Sequence, residues 1–224
     1  MTRGILIVGN ESTLFSAISA EAAKRVESYA SALIPNRLPQ RDGALPPRME
    51  AASGVIPLSW NPPSPVSART LVLAAENRLA QINDAILVCS PPAIYRTAEA
   101  LTPEEIEILV DDQIKGWFFL TRELLLYFHN RGSGSLSFVA PEVSPSGKNA
   151  QTDLLGPSAA ACFVNYASGI FASSLTEPFQ VTGFSGSETS DRGEFAAWLF
   201  KLIDEGTRKT SFRWNKFSKL GFLR

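Results

Sequence analysis

The stretch Gly4-Ile5-Leu6-Ile7-Val8-Gly9-Asn10-Glu11-Ser12-Thr13-Leu14-Phe15 decides how the rest of the chain is read. Ile5 to Val8 is an unbroken aliphatic run, the pattern of a strand covered on both faces, since alternation is needed only where one face meets water. Gly9 ends the run, and Ser12 can accept an orphan N–H of a helix that starts at once. A strand, one glycine and a helix N-terminus form the first half of a βαβ unit. Where such a turn binds a dinucleotide, three glycines let the backbone close on the pyrophosphate and let helix and strand pack tightly. Gly9 stands at the first of those places, and the other two glycines are missing, since Asn10 to Phe15 contains none. Glu11 puts a carboxylate at a helix terminus that otherwise attracts anions. The strand-to-helix turn is therefore expected intact and the phosphate cradle weakened.

Working outward, Leu14, Phe15, Ile18, Ala22, Val26, Tyr29 and Leu33 recur at three- and four-residue steps and predict one amphipathic helix that Pro35 stops. Pro35, Pro39, Pro46 and Pro47, with scattered charge, predict an irregular excursion over 35–53. A strand is expected within 54–60, a helix over 66–82 and a buried strand over 85–89. Thr102 as cap, Pro103 at the first helical position and Glu105 three residues after the cap form a strong helix start, with Leu101 and Ile106 as hydrophobic staple. That helix is expected to run to about Asn130. Beyond it come a strand over 135–139, a polar loop over 141–156, a helix over 157–175, a strand over 181–185, and a helix over 195–205 that Asp191 and Glu194 start and Gly206 ends. Strands and helices alternate throughout, which predicts an α/β domain of the Rossmann-like kind, a doubly wound parallel sheet with helices on both faces.

A chain of 224 residues with 45% apolar and 19% charged residues suits one such domain, over 1–206, and its formal net charge of −1 excludes a general attraction to nucleic acid or acidic lipid. Cys89 and Cys162 each lie in apolar sequence, which fits reduced thiols and a cytoplasmic setting. No stretch approaches the roughly 20 apolar residues that span a bilayer. His129, the only histidine, is read as a surface residue, and with no Cys-x-x-Cys spacing no metal is expected. Glu104-Glu105 and Asp111-Asp112 are read as solvated or helix-terminal charge. From 207 to 224, Arg208, Lys209, Arg213, Lys216, Lys219 and Arg224 interleave with Phe212, Trp214, Phe217 and Phe222. Such a segment can bind single-stranded nucleic acid or an anionic membrane, but Phe212 and Trp214 alternate as on a strand face, and self-association is favoured over both.

Lys115-Gly116-Trp117-Phe118-Phe119-Leu120-Thr121-Arg122 resembles a helix of the short-chain dehydrogenase/reductase family, which carries an Asn, two residues, a Gly and an aromatic stretch ending Leu-Thr-Arg. Ile170 to Leu175 and Phe179 to Thr182 resemble the later helix and strand of that family, so the likeness spans roughly 3–202. It implies NAD or NADP as cofactor, held by Gly9, Asn10, Ser12, Thr13, Leu14 and Ser90. It also implies a dimer or tetramer formed through the helices over 103–130 and 157–175 and the C-terminal segment.

Carried over residue by residue, the chemistry is altered: the second and third glycines of the family's first turn fall on Thr13 and Phe15, and a phenyl ring is too large for close backbone approach. The family's active-site Asn falls on Gln113, and its Ser falls near Ala140 or Pro141. Its Tyr-x-x-x-Lys pair, in which the cation lowers the phenol's pKa for proton transfer, falls on Ala161 and Asn165 in one register, or on Tyr166 and Ile170 in the other. The strand end reads Val88-Cys89-Ser90-Pro91-Pro92, stiffened by proline, and no residue of the Pro-rich segment can be assigned to choose between cofactors. Tyr166 and Gln113 are the only candidates for catalysis. The leading expectation is a catalytically degenerate member with a structural, assembly or ligand-binding role. The alternatives are a divergent NAD(P)-dependent oxidoreductase acting on a small carbonyl or alcohol, and an adaptor working through the basic tail.

Overall fold

A computed structural model describes residues 3–38, 54–141, 153–186, 191–206 and 214–217. Among them seven strands form one sheet in the order β3-β2-β1-β4-β5-β6-β7, every neighbouring pair parallel. The strands are β1 (Ile5–Gly9), β2 (Tyr29–Leu33), β3 (Val55–Leu58), β4 (Asp84–Val88), β5 (Ser135–Pro141), β6 (Gln180–Gly186) and β7 (Asn215–Phe217). The helices are α1 (Thr13–Arg25), α2 (Pro65–Leu79), α3 (Pro103–Val110), α4 (Gly116–Arg131), α5 (Leu155–Ser173) and α6 (Arg192–Glu205). The unbroken apolar run of β1 is explained by what covers it. Leu6 and Val8 face α2, α4 and α5 in a core with Leu71, Trp117, Leu124 and Phe163, while Ile5 and Ile7 face α1 and α6 in a second core with Phe15, Ile18, Phe195 and Leu199. At the opposite end of the strands from the helix-bearing turns, Asp84 accepts from Arg3 Nε (2.5 Å) and Ser135 Oγ (2.6 Å), tying the start of the sheet together.

One expectation is overturned in the first helix. α1 ends at Arg25 because Val26 turns extended, and Tyr29–Leu33, read from the sequence as helix, is the strand β2. Tyr29 and Leu33 are four apart and fit a helical stripe, but period two is what the sheet uses: Ala30 and Ala32 point into the core under α2, and Tyr29 points to the α1 side. Pairing of Leu6 with Ala30 and Val8 with Ala32 wins over the local pattern. The excursion read over 35–53 lies outside the described residues from 39 onward, as do most of the 141–156 loop and all of 207–224 except Trp214 and β7.

The long helix of the sequence reading exists, with an interruption. Thr102 and Glu105 form the expected capping box, but α3 and α4 are joined by a π-helical turn, Asp111–Lys115, in which Gly116 N–H reaches the Asp111 carbonyl five residues back. Gly116 is required there, because a Cβ would stand 2.6 Å from Pro62 Cβ of the segment after β3. Of the three consecutive aromatics that follow, Trp117 is fully buried, Phe119 packs partly on the same core, and Phe118 is exposed.

Candidate functional site

The chain leaves β1 for β2 and β3 on one side, then returns across the sheet to β4 on the other. Connections diverge between β1 and β4, and a crevice opens at the C-terminal ends of the strands at such a switch point. A cleft of about 1080 Å³ lies here, walled by the turn into α1 (Asn10, Glu11, Ser12, Thr13, Ser16), the segment after β2 (Leu33 to Leu38), the loop after β4 (Ser90, Pro92) and the α3–π turn (Ile108, Leu109, Asp112, Gln113).

Local bonding shapes each wall. Ser12 caps α1, its Oγ accepting from Phe15 N–H at 3.1 Å, so this hydroxyl is already engaged by the protein. Gly9 lies beneath the turn: a Cβ would be 2.5 Å from the Val88 carbonyl oxygen and 3.0 Å from the Phe15 ring. The glycine is thus needed for packing β1 against β4 and α1, whatever the cleft holds. Leu14 and Phe15 are core residues. Of the sequence candidates for cofactor contact, Asn10, Ser12, Thr13 and Ser90 line the cleft, while Gly9 and Leu14 do not.

The far wall corrects the reading of Asp111-Asp112 as solvated. The Asp112 side chain is 4% exposed and pairs bidentately with Arg37, Oδ1 at 2.5 Å from Nη2 and Oδ2 at 3.1 Å from Nε. Burial pushes the Asp112 carboxyl above its ordinary range, Arg37 draws it back and neighbouring Asp111 adds to the rise. Arg37 stands four residues past β2, so the Pro-rich segment does supply a charged residue at the cleft, one hidden while β2 was read as helix. Glu105 is likewise buried, holding its capping bond and an ion pair with Arg96 at 2.9 Å. Gln113 is 2% exposed with Oε1 unpartnered, and Asn10 Oδ1 is buried without a partner too. Buried acceptors of this kind are costly unless something donates to them.

No protein-family model and no curated protein sequence matches the chain. Solved structures do. A short-chain dehydrogenase from Mycobacterium smegmatis superposes with a TM-score of 0.75 over 97% of this chain and 92% of that one, at 11% identity. An NADH-dependent reductase complexed with NAD gives 0.73 over 96% and 95%, at 12% identity. A variant of actinorhodin polyketide ketoreductase with NADPH gives 0.74 over 96% and 95%, at 13% identity. The chain has the short-chain dehydrogenase/reductase fold.

Within that fold the positions carried over from the resemblance fall as follows. Gln113 lies in the π turn on the cleft wall. Ala140, at the end of β5, is buried, and Pro141 is partly so. Tyr166 is outside the cleft lining, on α5, its ring 4.2 Å from that of exposed Phe118 on α4. Burial raises its phenol above the usual value of 10, and no described cation draws it down. In the other register Ala161 and Asn165 are both exposed. His129 is a surface residue, Nδ1 2.8 Å from Glu177 Oε2. Both cysteines are free, and burial pushes the Cys89 thiol up, so it stays protonated. Among the described residues no group of three or more His, Cys, Asp or Glu stands together for a metal, and no helix is long and apolar enough to cross a membrane.

Proposed function

We propose that this protein binds a nicotinamide dinucleotide, NAD or NADP, in the cleft at the β1–β4 switch point and does not turn substrate over: a short-chain dehydrogenase/reductase fold kept for ligand binding and assembly. The observation that carries this reading is that Tyr166 is not among the residues lining the cleft and stands against Phe118, with no ammonium beside it among the described residues. The residues present fit a nucleotide in two respects. The cleft is large enough, and Asn10, Ser12, Thr13 and Gln113 give its wall polar side chains suited to the amino and hydroxyl groups that adenosine and ribose carry. They fit the pyrophosphate less well, since Glu11 brings a negative charge to the α1 terminus. A bound reduced nicotinamide supplies a hydride. Completing a carbonyl reduction also needs a positioned proton donor with a matched pKa, and a phenol raised by burial outside the cleft is not one.

The test is a titration with each nicotinamide cofactor, followed by thermal unfolding and by nicotinamide absorbance in the presence of ketones and alcohols. At about a hundredfold excess over Kd, binding stabilises by about 2.7 kcal/mol, a rise of roughly 5–10 °C in Tm for a chain of this size. That rise without turnover is the expected result. No rise with any cofactor removes the binding reading. Turnover abolished by Tyr166→Phe supports the second reading, a divergent oxidoreductase, for which the place of Gln113 on the cleft wall is the favourable observation.

For assembly, exposed Phe118 with its Tyr166 partner gives α4 and α5 an apolar outer patch. A homo-oligomer through α4, α5 and the C-terminal segment, in a cytoplasmic setting, completes the proposal, with nucleic acid and membrane disfavoured as partners. Light scattering is expected to give the mass of two or four chains, and a monomeric mass counts against it.

A further inference from the structure

Among the described residues that line the cleft there are two acids, Glu11 and Asp112, and one cation, Arg37. An anionic ligand entering such a site meets a net negative lining, and Arg37 is the group that can favour it. Yet Arg37 is already taken. Both oxygens of Asp112 hold the guanidinium in the planar two-point geometry that a phosphate would use. The two partners are unlike in exposure: the Arg37 side chain is 35% exposed on the cleft edge, whereas Asp112 is 4% exposed within the π turn. The guanidinium can therefore be reached from solvent without moving α3 or α4.

We propose that Asp112 is a specificity-determining residue, an internal anion that a ligand must displace from Arg37, so that the cleft admits phosphate-bearing ligands and rejects less charged ones. A phosphate group offers three oxygens and up to two charges against the carboxylate's single charge, so it competes where a carboxylate or hydroxyl does not. The exchange is non-covalent. Two N–H···O bonds to Asp112 are replaced by two to the ligand, and burial, which raises the Asp112 pKa, favours proton uptake by the freed carboxyl over an unpaired buried charge. Asn10, Ser12 and Gln113 also line the cleft, which sets a ligand's body beside the exchange point. This rests on the reading of the cleft as the ligand site.

The experiment follows thermal unfolding of the full chain against inorganic phosphate, with chloride at matched ionic strength as control, in wild type, Asp112→Asn and Asp112→Asn/Arg37→Gln. Removing the internal competitor is expected to lower the half-saturating phosphate concentration about tenfold, the change that 1.4 units of kcal/mol corresponds to, and the double variant is expected to lose the response. A half-saturation unchanged by Asp112→Asn, or a gain that survives loss of Arg37, overturns the proposal; Asp112→Ser serves the same purpose if the asparagine variant does not fold. Titration of the same proteins with NAD and NADP separates the two claims. If no dinucleotide binds any variant while phosphate behaves as expected, the exchange at Arg37 stands and the dinucleotide reading falls.

Discussion

Replacing Trp117 by alanine is expected to cost about 3–5 kcal/mol of stability, the range for truncating a large buried aromatic side chain. Trp117 is fully buried, its ring 5.6 Å from that of Trp60 and 5.2 Å from that of Phe163, which in turn lies 5.5 Å from Phe138. These rings join the segment after β3, the helices α4 and α5, and the strand β5, so alanine would leave a void that no single neighbour can fill. Trp117 also follows Gly116 and the π turn, and loosening it is expected to disturb the placement of Asp112 and Gln113 on the cleft wall. Urea unfolding followed by far-UV circular dichroism reads the stability change as a lower midpoint. Trp117→Phe is the control. The indole Nε1 has no hydrogen-bond partner, so phenylalanine removes an unsatisfied donor along with part of the packing, and the two changes oppose one another. A cost of about 1 kcal/mol or less is expected for it. If alanine is tolerated as well as phenylalanine, this aromatic cluster does not organise the core.

The parts of this fold that could be read from sequence are those whose cause is local. Ile5 to Val8 is apolar on both sides because it is covered on both sides, and Thr102, Pro103 and Glu105 specify a helix start within four residues. That neither register of the later helix holds a Tyr-x-x-x-Lys spacing is legible for the same reason, since it depends only on which residue types occupy a short stretch. What escaped has distant causes. β2 is a strand because β1 pairs with it, and nothing within Tyr29 to Leu33 distinguishes that from another helical turn. Asp112 sits beside an acid within the stretch read as one long helix, and its partner is 75 residues away. Arg37 could be placed at the cleft only once β2 was known to end at Leu33. The π turn has no sequence signature of its own beyond Gly116, whose meaning comes from Pro62. The opening glycine keeps the role the sequence suggested, as the first turn of the fold, with Phe15 and Val88 as the physical reason.

Arg37→Ala is expected to lower stability by about 3 kcal/mol at about pH 7, the lower end of the cost of breaking a buried pair, because Arg37 is partly exposed. The loss comes from what remains: a carboxylate 4% exposed with its counter-charge gone. That origin gives the loss a pH dependence of definite sign. Burial is the largest influence on Asp112 and raises its pKa above the ordinary 3.8, while Arg37 opposes the rise. Without Arg37 the folded-state pKa climbs further, so the folded protein binds more protons than the unfolded chain between the two values. Stability from this group is fully present below the unfolded pKa and is lost as pH rises through the folded one. The deficit of Arg37→Ala relative to wild type should therefore shrink on acidification toward about pH 4, where Asp112 enters the folded state neutral. Arg37→Ala/Asp112→Asn carries no buried charge, and it is expected to recover most of the loss at neutral pH and to show no such slope. Urea midpoints of the three proteins measured across that range decide the matter. A deficit that is the same at every pH would assign the loss to packing of the Arg37 stem on the cleft wall, and would remove the charge on Asp112 from the account of the site.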